Sequence, residues 1–389
     1  MSELLESRWQ ETKGALLEGL NGNKKAVMAS TLENTRKYLS EAAGTGATSA
    51  GNIATLNRVI LPVIRRVMPT VIANDLVGVQ PMTGPVGQIH TLRVRYAESN
   101  DNATAGEEAL SPFKIATAYS GAGTDPSGTA DATATLEGDA GRKMSIQILK
   151  QTVEAKSRKL SARWTFEAAQ DAQSMHGIDV EAEIMAALAQ EITAEIDQEV
   201  LHSLQTLSGT AAQTYDQAAV SGTATFVGDE HAALAVQINR VSNLIAQRTR
   251  RGAGNWAVVS PFALTILQSA TTSAFARTTE GTFEAPTNTK MVGTLNSAMK
   301  VYVNTYAADN AAVLVGYKGT SESDAAAFYC PYIPLMSSGV VLDPTSFEPV
   351  VSFMTRYGYV ELSNSASSLG NAADYLANVA ITNGNVSFS

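Results

Sequence analysis

The chain has 389 residues, enough to bury a large core and to divide into two or three domains. Its formal net charge of −9 at pH 7 argues against a protein whose whole surface binds nucleic acid tightly, because such a surface needs clustered Lys and Arg to neutralise phosphates. Cys330 is the single cysteine, which excludes an intrachain disulfide and a cysteine-based metal site.

The N-terminal sequence is charged and has no apolar secretory core. The most apolar window, Val59 to Val79, contains Arg65, Arg66 and Asp75, so it is a poor candidate for a membrane span. We therefore expect a soluble protein that suits a reducing cytoplasm.

The N-terminal part of the chain is predicted to be helical and hinged. Residues 1–41 favour one or two polar helices with a thin apolar stripe, and an Ala/Gly/Thr/Ser-rich linker follows at Ala42–Gly51. Such a segment is either a removable or partner-binding arm or simply the first helix of the fold. From Leu56 to Ile72 the apolar residues have amphipathic helical spacing, but Pro62 and Pro69 interrupt it. We expect short helical pieces lying along a partner's surface.

A long two-stranded arm is predicted next. Gln88–Ala97 alternates as a half-buried strand, and its partner is predicted at Ile146–Phe166. The connection, residues 98–141, has too few large apolar groups for an independent core. The connection is acidic and the returning strand is basic, which favours docking between identical neighbours. The alternative is two solvated faces that never meet. An arm of this kind is too weakly stabilised to stand alone.

The second half of the chain predicts helices and then short strands. Asp179–Leu207 has an apolar residue at every fourth position, with Asp179 as N-cap and Gly209 as the stop, and would be about 40 Å long. A second helix is predicted at His231–Arg250. A Ser/Thr/Gly-rich loop is predicted at Ser269–Thr289. The predicted strands are Trp256–Val259, Lys300–Asn304, Ala312–Tyr317, Val340–Leu342 and Pro349–Tyr357, and the class is α+β.

No pattern of catalytic or metal-binding residues is present in the sequence. The four histidines, at positions 90, 176, 202 and 231, have no metal-ligand spacing, and phosphate-binding and nucleophile-elbow motifs are absent. His90 and His202 are interpreted as strand and helix residues, and Cys330 as a buried core residue. We expect no cofactor and no enzyme activity, although catalytic groups can converge from distant positions.

Three distant parts of the sequence carry motifs of one protein family. The first comprises Leu61–Pro69, Ile72–Asn74, Val79–Pro85 and Leu92–Tyr96, the second is Tyr329–Leu335, and the third is Phe353–Gly358. In this order they closely resemble the major capsid proteins of T-even-type myophages. The resemblance implies a structural shell protein of the Hong Kong 97-type capsid fold.

The resemblance also implies a division of the chain into the parts of that fold. These are an N-terminal helical segment and candidate propeptide at 1–41, an N-terminal arm at 42–85, an extended β-hairpin loop at 86–170, a peripheral domain with a long spine helix at 171–209, an axial domain at 210–342, and a return to the peripheral domain at 343–389. Residues 98–141 are too few for the folded insertion domain of the longer T-even relatives, so no function of that insertion is transferred.

The resemblance further implies the protein's partners and contacts. Subunits would form hexamers, with pentamers left open, in a virion capsid assembled in the host bacterial cytoplasm around double-stranded DNA. Portal and scaffold proteins are implied partners, and vertex or decoration proteins are further candidates. No membrane and no cofactor is implied. The candidate inter-subunit residues are Arg65, Arg66, Lys156, Arg158 and Lys159.

Proteolytic processing is a further implication of the resemblance. Relatives lose an N-terminal segment to a prohead protease that cuts after Leu/Ile-x-Glu, and Leu39-Ser40-Glu41 followed by Ala42 fits this pattern. Leu4-Leu5-Glu6 and Leu16-Leu17-Glu18 fit it as well, so the motif alone does not choose the site.

Two alternatives to a phage head protein stay open on the sequence. One is an encapsulin-like compartment shell of the same fold, and the other is a soluble enzyme with an unrecognised site.

Overall fold

The computed structural model describes most of the chain: positions 9, 13, 14 and 17 and residues 25–34, 72–100, 103–107, 109, 119–122, 128–138, 141–176, 179–216, 227–270, 275–277, 290–346, 348–362 and 372–382. The helices are α1 (residues 25–34), α2 (Ala73–Leu76), α3 (Thr133–Leu136), α4 (Phe166–His176), α5 (Val180–Ser208), α6 (Val227–Thr249) and α7 (Pro261–Ser269), with a 3-10 turn at Ala372–Tyr375.

The strands are β1 (Gly78–Val79), β2 (Val86–Tyr96), β3 (Met144–Glu154), β4 (Lys156–Arg163), β5 (Gln213–Asp216), β6 (Trp256–Val259), β7 (Phe275–Arg277), β8 (Lys290–Leu295), β9 (Met299–Val303), β10 (Val313–Gly316), β11 (Ala327–Ser337), β12 (Val341–Leu342), β13 (Pro349–Glu361) and β14 (Leu376–Thr382). The mixture of helices and sheets confirms the predicted α+β class.

The chain forms two compact units that interleave along the sequence. The first comprises Met1–Gly87, Val153–Ser203 and Phe328–Val360, and the second comprises Gln88–Thr152, Leu204–Ala327 and Glu361–Ser389. Neither unit is a continuous stretch of chain, so each depends on contacts between residues far apart in sequence.

The first unit contains a five-stranded sheet. Its order is β1-β11-β13-β12, and β4 also pairs with β13. The β4–β13 pairing is antiparallel and runs from Arg163 opposite Val350 to Lys156 opposite Tyr357. Cys330 lies in β11 and is buried, as predicted. Burial raises the pKa of its thiol to about 11.

The second unit contains a seven-stranded sheet and its core. The sheet order is β5-β14-β10-β6-β9-β8-β7. Every residue of β6 is buried, because this strand lies in the middle of the sheet. Helices α6 and α7 cover the core, and the predicted apolar face of α6 is fully buried, at Leu234, Ile238, Val241 and Ile245. The helix predicted at His231–Arg250 is therefore confirmed, beginning at Val227.

The long helix α5 follows its prediction closely. Asp179 Oδ1 accepts hydrogen bonds from the main-chain N–H of Glu181 (3.1 Å) and Ala182 (3.4 Å), so Asp179 is the N-cap. At the other end Gly209 has a φ of +65°, a left-handed conformation that favours glycine and ends the helix. Ile192, Ile196, Val200 and Leu204 of the predicted apolar stripe are buried.

The predicted returning strand Ile146–Phe166 is wrong in its second half. The structure divides it at Ala155: β3 pairs with β2 in a two-stranded ribbon, whereas β4 joins the five-stranded sheet through β13. Ala155 N donates to Pro85 O (2.9 Å) at one end of the ribbon, and Ala97 N donates to Lys143 O (3.0 Å) at the other. Continuous alternation cannot reveal such a change of partner, because each sheet has the same period of two.

The acidic connection forms a small cluster after all. Ala103, Ala109 and Tyr119 are buried together with Tyr96 of β2, and the two tyrosine rings lie 4.4 Å apart. Tyr119 Oη donates to Lys143 O (2.5 Å), which ties the connection to the returning strand. Because Tyr96 belongs to β2, this cluster is shared between the connection and the strand.

Several elements were not predicted. The structure adds helices α2, α3, α4 and α7 and strands β1, β5, β8, β11 and β14, and β7 lies inside the predicted Ser269–Thr289 loop. In the part of the chain that the structure describes, no helix has the length and hydropathy to cross a membrane.

Candidate assembly surfaces

Part of the first sequence motif lies beside the second and third motifs in the five-stranded sheet. Tyr329–Leu335 lies in β11 and Phe353–Gly358 lies in the neighbouring β13. The Val79–Pro85 stretch follows β1, and its Gln80 N and Met82 N donate to Tyr329 O (3.1 Å) and Pro331 O (3.0 Å). Val79–Pro85, Tyr329–Leu335 and Phe353–Gly358 therefore belong to one local structure, although the first is separated from the other two by more than half of the chain.

A polar cluster joins this sheet to helix α5. Arg158 of β4 donates to Glu195 Oε2 (2.7 Å) and Glu199 Oε2 (2.5 Å), which lie one helical turn apart on α5. Its Nε also donates to Tyr357 Oη of β13 (2.6 Å), and Tyr357 in turn donates to Glu199. We call these four residues the Arg158 clamp. It fixes two strands and one helix with charge-assisted hydrogen bonds.

The clamp shifts the pKa values of its members. Partial burial alone would raise the pKa of the Glu199 carboxyl, but the hydrogen bonds from Tyr357 and Arg158 outweigh it, so the pKa lies below its usual value of 4.5. Burial and the bond to Glu199 raise the pKa of the Tyr357 hydroxyl. The Arg158 pKa is raised despite burial, because carboxylate and hydroxyl partners stabilise its cation. The cluster is therefore an ion pair at neutral pH.

A second anchor joins α5 to the chain before β1. The Asp197 side chain is buried and accepts a hydrogen bond from the main-chain N–H of Ile72 at 2.9 Å. Asp197 thus fixes the chain directly before α2 to the long helix.

One face of strand β3 in the β2–β3 ribbon carries three apolar side chains that are open to solvent. Met144, Ile146 and Ile148 of β3 are 53%, 68% and 65% exposed. Alternate residues of a strand point to the same face, so these three side chains form one stripe. We call it the ribbon stripe. Ser145 and Gln147 occupy the other face of the strand and are also exposed.

A second exposed apolar surface lies at β12. Val340, Val341 and Leu342 are 41%, 56% and 45% exposed and consecutive. The turn that follows is held by Asp343, whose carboxylate accepts from Thr345 N (2.9 Å) and Ser346 Oγ (3.2 Å). Hydrogen bonds to Thr345 and Ser346 lower the Asp343 pKa. The surface is therefore held by a defined turn.

Comparison with known proteins gives the context of these surfaces. The family model of the major capsid protein Gp23 matches residues 53–137 and 123–383. The chain belongs to the Gp23 major capsid protein family.

Individual Gp23-type relatives agree with this assignment. The chain is 29% identical to the major capsid protein of Vibrio phage KVP40, covering 85% of this chain and 82% of the relative. It is also 29% identical to the major capsid protein of Enterobacteria phage T4, over 80% of this chain and 76% of the relative. The major capsid protein of Serratia phage KSP90 is 28% identical, over 92% of this chain and 90% of the relative.

Solved phage structures are similar at a lower level. A Microbacterium phage Oxtober96 structure aligns with 80% of this chain and 90% of its own at 12% identity and a TM-score of 0.46. The capsid of Myoviridae phage XM1 aligns with 80% of this chain and 92% of its own, at 10% identity and a TM-score of 0.45. The family assignment rests on the sequence match.

Family membership defines the class of function. This capsid protein is a structural subunit of a phage head shell, located in the virion, and it self-assembles into capsomers. The resemblance to T-even myophage capsid proteins is confirmed, and the α+β capsid fold agrees with it. The match gives no support to an encapsulin-like compartment or a soluble enzyme.

The structure distributes the predicted contact residues of this capsid protein unevenly. Arg158 lies inside its own subunit's clamp, whereas Lys156 and Lys159 are exposed on β4. Arg65, Arg66, Glu41 and Ala42 lie outside the described residues. The ribbon stripe was not predicted, because Met144 lies before the predicted strand Ile146–Phe166 and that strand was interpreted by its charged residues.

The capsid protein's titratable groups form no ion-binding cluster in the part of the chain that the structure describes. His90 is an exposed residue of β2, and His202 lies in α5, as predicted. His231 is buried beside Ser269 Oγ, and burial lowers its pKa.

Proposed function

We propose that the subunits form hexamers, and pentamers unless a separate vertex protein takes their place, and that these close a shell around double-stranded DNA. In the same proposal the β2–β3 ribbon is the extended loop that lies on a neighbouring subunit. In this proposal α5 is the spine helix of the peripheral domain, and the seven-stranded sheet belongs to the axial domain. The carrying observation is the ribbon stripe. Portal and scaffold proteins would complete the head.

The ribbon stripe needs a cover for a physical reason. A two-stranded ribbon is marginally stable in water, and burying apolar surface stabilises by roughly 25 cal/mol per Å². Three large apolar side chains on one open face therefore favour association. A second copy is the natural occupant, because the family assembles from identical subunits and symmetry repeats each contact around the shell.

A matched pair of double variants tests the stripe. Ile146→Asp with Ile148→Asp should abolish shell formation, because two carboxylates would have to be buried in the contact. Ser145→Asp with Gln147→Asp adds the same charges to the opposite face of the same strand and should leave particle yield within about twofold of wild type. Particles are counted by negative-stain electron microscopy, and folding is checked by circular dichroism. Normal shells from the stripe variant would refute the proposed contact.

The exposed lysines of β4 permit a separate test of charge-guided docking. Lys156→Glu with Lys159→Glu should reduce particle yield while the subunit stays folded, because rim charges guide association. Arg158 is left unchanged, since its reversal would break the clamp and confuse a folding defect with an assembly defect. Raising the salt concentration should slow the assembly of the wild-type subunit, because salt screens the same charges. An unchanged yield in the double variant would remove these lysines from the contact.

The content of the particles distinguishes the phage head from an encapsulin-like compartment. Shells purified from infected cells should contain genome-length double-stranded DNA, measured by nuclease protection. Protein cargo in place of DNA would contradict the proposal. The net charge of −9 is compatible with a wall that does not hold its DNA tightly.

A further inference from the structure

We propose that helix α1 binds noncovalently to a surface of the first unit of its own subunit. It stays bound when the chain is cut between residues 34 and 72. The surface is marked by the main-chain carbonyls of Met82 and Tyr332, and we call it the α1 dock. This inference concerns binding within the subunit. It rests on the proposed head-shell function only for its role in processing.

One face of α1 is buried. Val27, Met28, Thr31 and Leu32 are at most 5% exposed, whereas Lys25 at the start of the helix is exposed. Their spacing places them on one side of a helix. Isolated helices of about ten residues are marginal in water, so α1 depends on this burial for its structure.

Asn34 supplies the specific part of the contact. Its Nδ2 donates to Met82 O at 2.6 Å and to Tyr332 O at 3.1 Å, and the side chain is 7% exposed. An amide nitrogen carries two hydrogens, so both donors are used. Met82 follows β1 and Tyr332 lies in β11, so one side chain joins α1 to two segments of the first unit. Without Asn34 both carbonyls would lose a buried donor.

The residues before α1 attach to α1 itself. Lys13 Nζ forms an ion pair with Glu33 at 3.0 Å, and Trp9 Nε1 donates to the same carboxylate at 3.5 Å. Trp9 and Lys13 are both helical. A cut after α1 would therefore leave these residues and α1 as one piece, held by the α1 dock.

In this arrangement, cleavage of the chain and release of the N-terminal fragment are separate steps. If processing occurs after Glu41, cleavage alone leaves the α1 dock occupied, and a later change of the subunit has to expel the fragment. The surface around Met82 and Tyr332 stays closed until that step.

The test uses the full chain with a site-specific protease sequence placed within Ala42–Gly51. After cleavage of the unassembled subunit, the N-terminal fragment should co-elute with the body in size-exclusion chromatography under native conditions. Exchange against a fluorescent peptide of residues 1–41 measures the binding. Asn34→Leu should accelerate exchange at least about tenfold, since two buried hydrogen bonds are lost. Lys25→Ala is the matched control on the exposed side and should leave the rate unchanged.

Two results would overturn the inference. One is separate elution of the wild-type fragment, and the other is an exchange rate that Asn34→Leu does not alter. If Asn34→Leu fails to fold, Met28→Ala, which removes buried apolar volume, replaces it with the same expectation. Particle formation by the uncut chain is scored separately by electron microscopy, so a failure of the head-shell proposal is recognised independently.

Discussion

Arg158 illustrates how a residue's role depends on its neighbours in the fold. From sequence it is one of several basic residues on a strand, and docking to another subunit is a reasonable expectation. In the structure its guanidinium is occupied by Glu195, Glu199 and Tyr357 of the same chain. Periodicity shows the face on which a side chain lies but does not identify the element that packs against it.

The clamp predicts a stability change that depends on pH. Arg158→Ala should lower the free energy of unfolding by about 1–2 kcal/mol at pH 7, a value reduced for the partial exposure of the pair. The Glu199 pKa is below its usual 4.5, so this contribution is complete above about pH 4.5 and is lost as the pH falls through the lower folded-state value. The difference between wild type and Arg158→Ala should therefore narrow in acid.

Urea unfolding of the unassembled subunit at several pH values measures this effect. Lys159→Ala, at the next position and exposed, should change stability by less than about 0.5 kcal/mol. A difference between wild type and Arg158→Ala that stays constant from neutral pH into acid would contradict the ion-pair description.

At the scale of elements, Gly358 marks where the ribbon leaves the sheet. It lies in β13 next to Tyr357, which is opposite Lys156 at the start of β4. A Cβ at this position would overlap Val153 Cγ1 and lie 3.2 Å from Glu154 O, both at the end of β3. The absence of a side chain therefore lets β3 pass close to β13.

This close approach predicts a specific cost for a methyl group. Gly358→Ala should destabilise the subunit by roughly 1–3 kcal/mol, because Val153 and the β3 backbone must move. Gly84→Ala is the matched control, since its nearest neighbour would be Val86 O at 3.9 Å. Thermal or urea unfolding checks both, and equal stabilities for the two variants would show that β3 moves aside freely.

Helices and strands with a clear hydrophobic period could be predicted from the sequence. Elements whose structure depends on the strand or helix they pair with could not. The stripe of α5 and the apolar run of β6 specify their structures locally, so both were placed within one or two residues. Strand β11 was missed because Pro331 and Pro334 argue against a central strand. Pro331 is accommodated because it contributes its carbonyl, which accepts from Met82 N. The ribbon stripe could not be predicted from the sequence, because the solvent exposure of its side chains depends on the tertiary structure.

At the scale of the whole molecule, proteolytic processing would change the N-terminus of the subunit. Mature heads should contain a chain that begins at Ala42, because Leu39-Ser40-Glu41 fits the pattern cut in relatives and, of the three matches, it alone directly precedes the linker Ala42–Gly51. Intact mass spectrometry of virion protein under denaturing conditions measures this directly. A mass that includes Met1 to Glu41 would remove the cleavage site from consideration.

The single buried thiol of the subunit has a practical consequence for mapping the shell. Cys330 is buried in β11 and its pKa is raised, so it reacts slowly with alkylating reagents while the fold is intact. A cysteine introduced at an exposed position such as Gln147 would then be the one rapidly labelled sulfur of each subunit. Neighbour-to-neighbour distances could be measured with spin labels or fluorophores on the wild-type background, without first removing a native thiol.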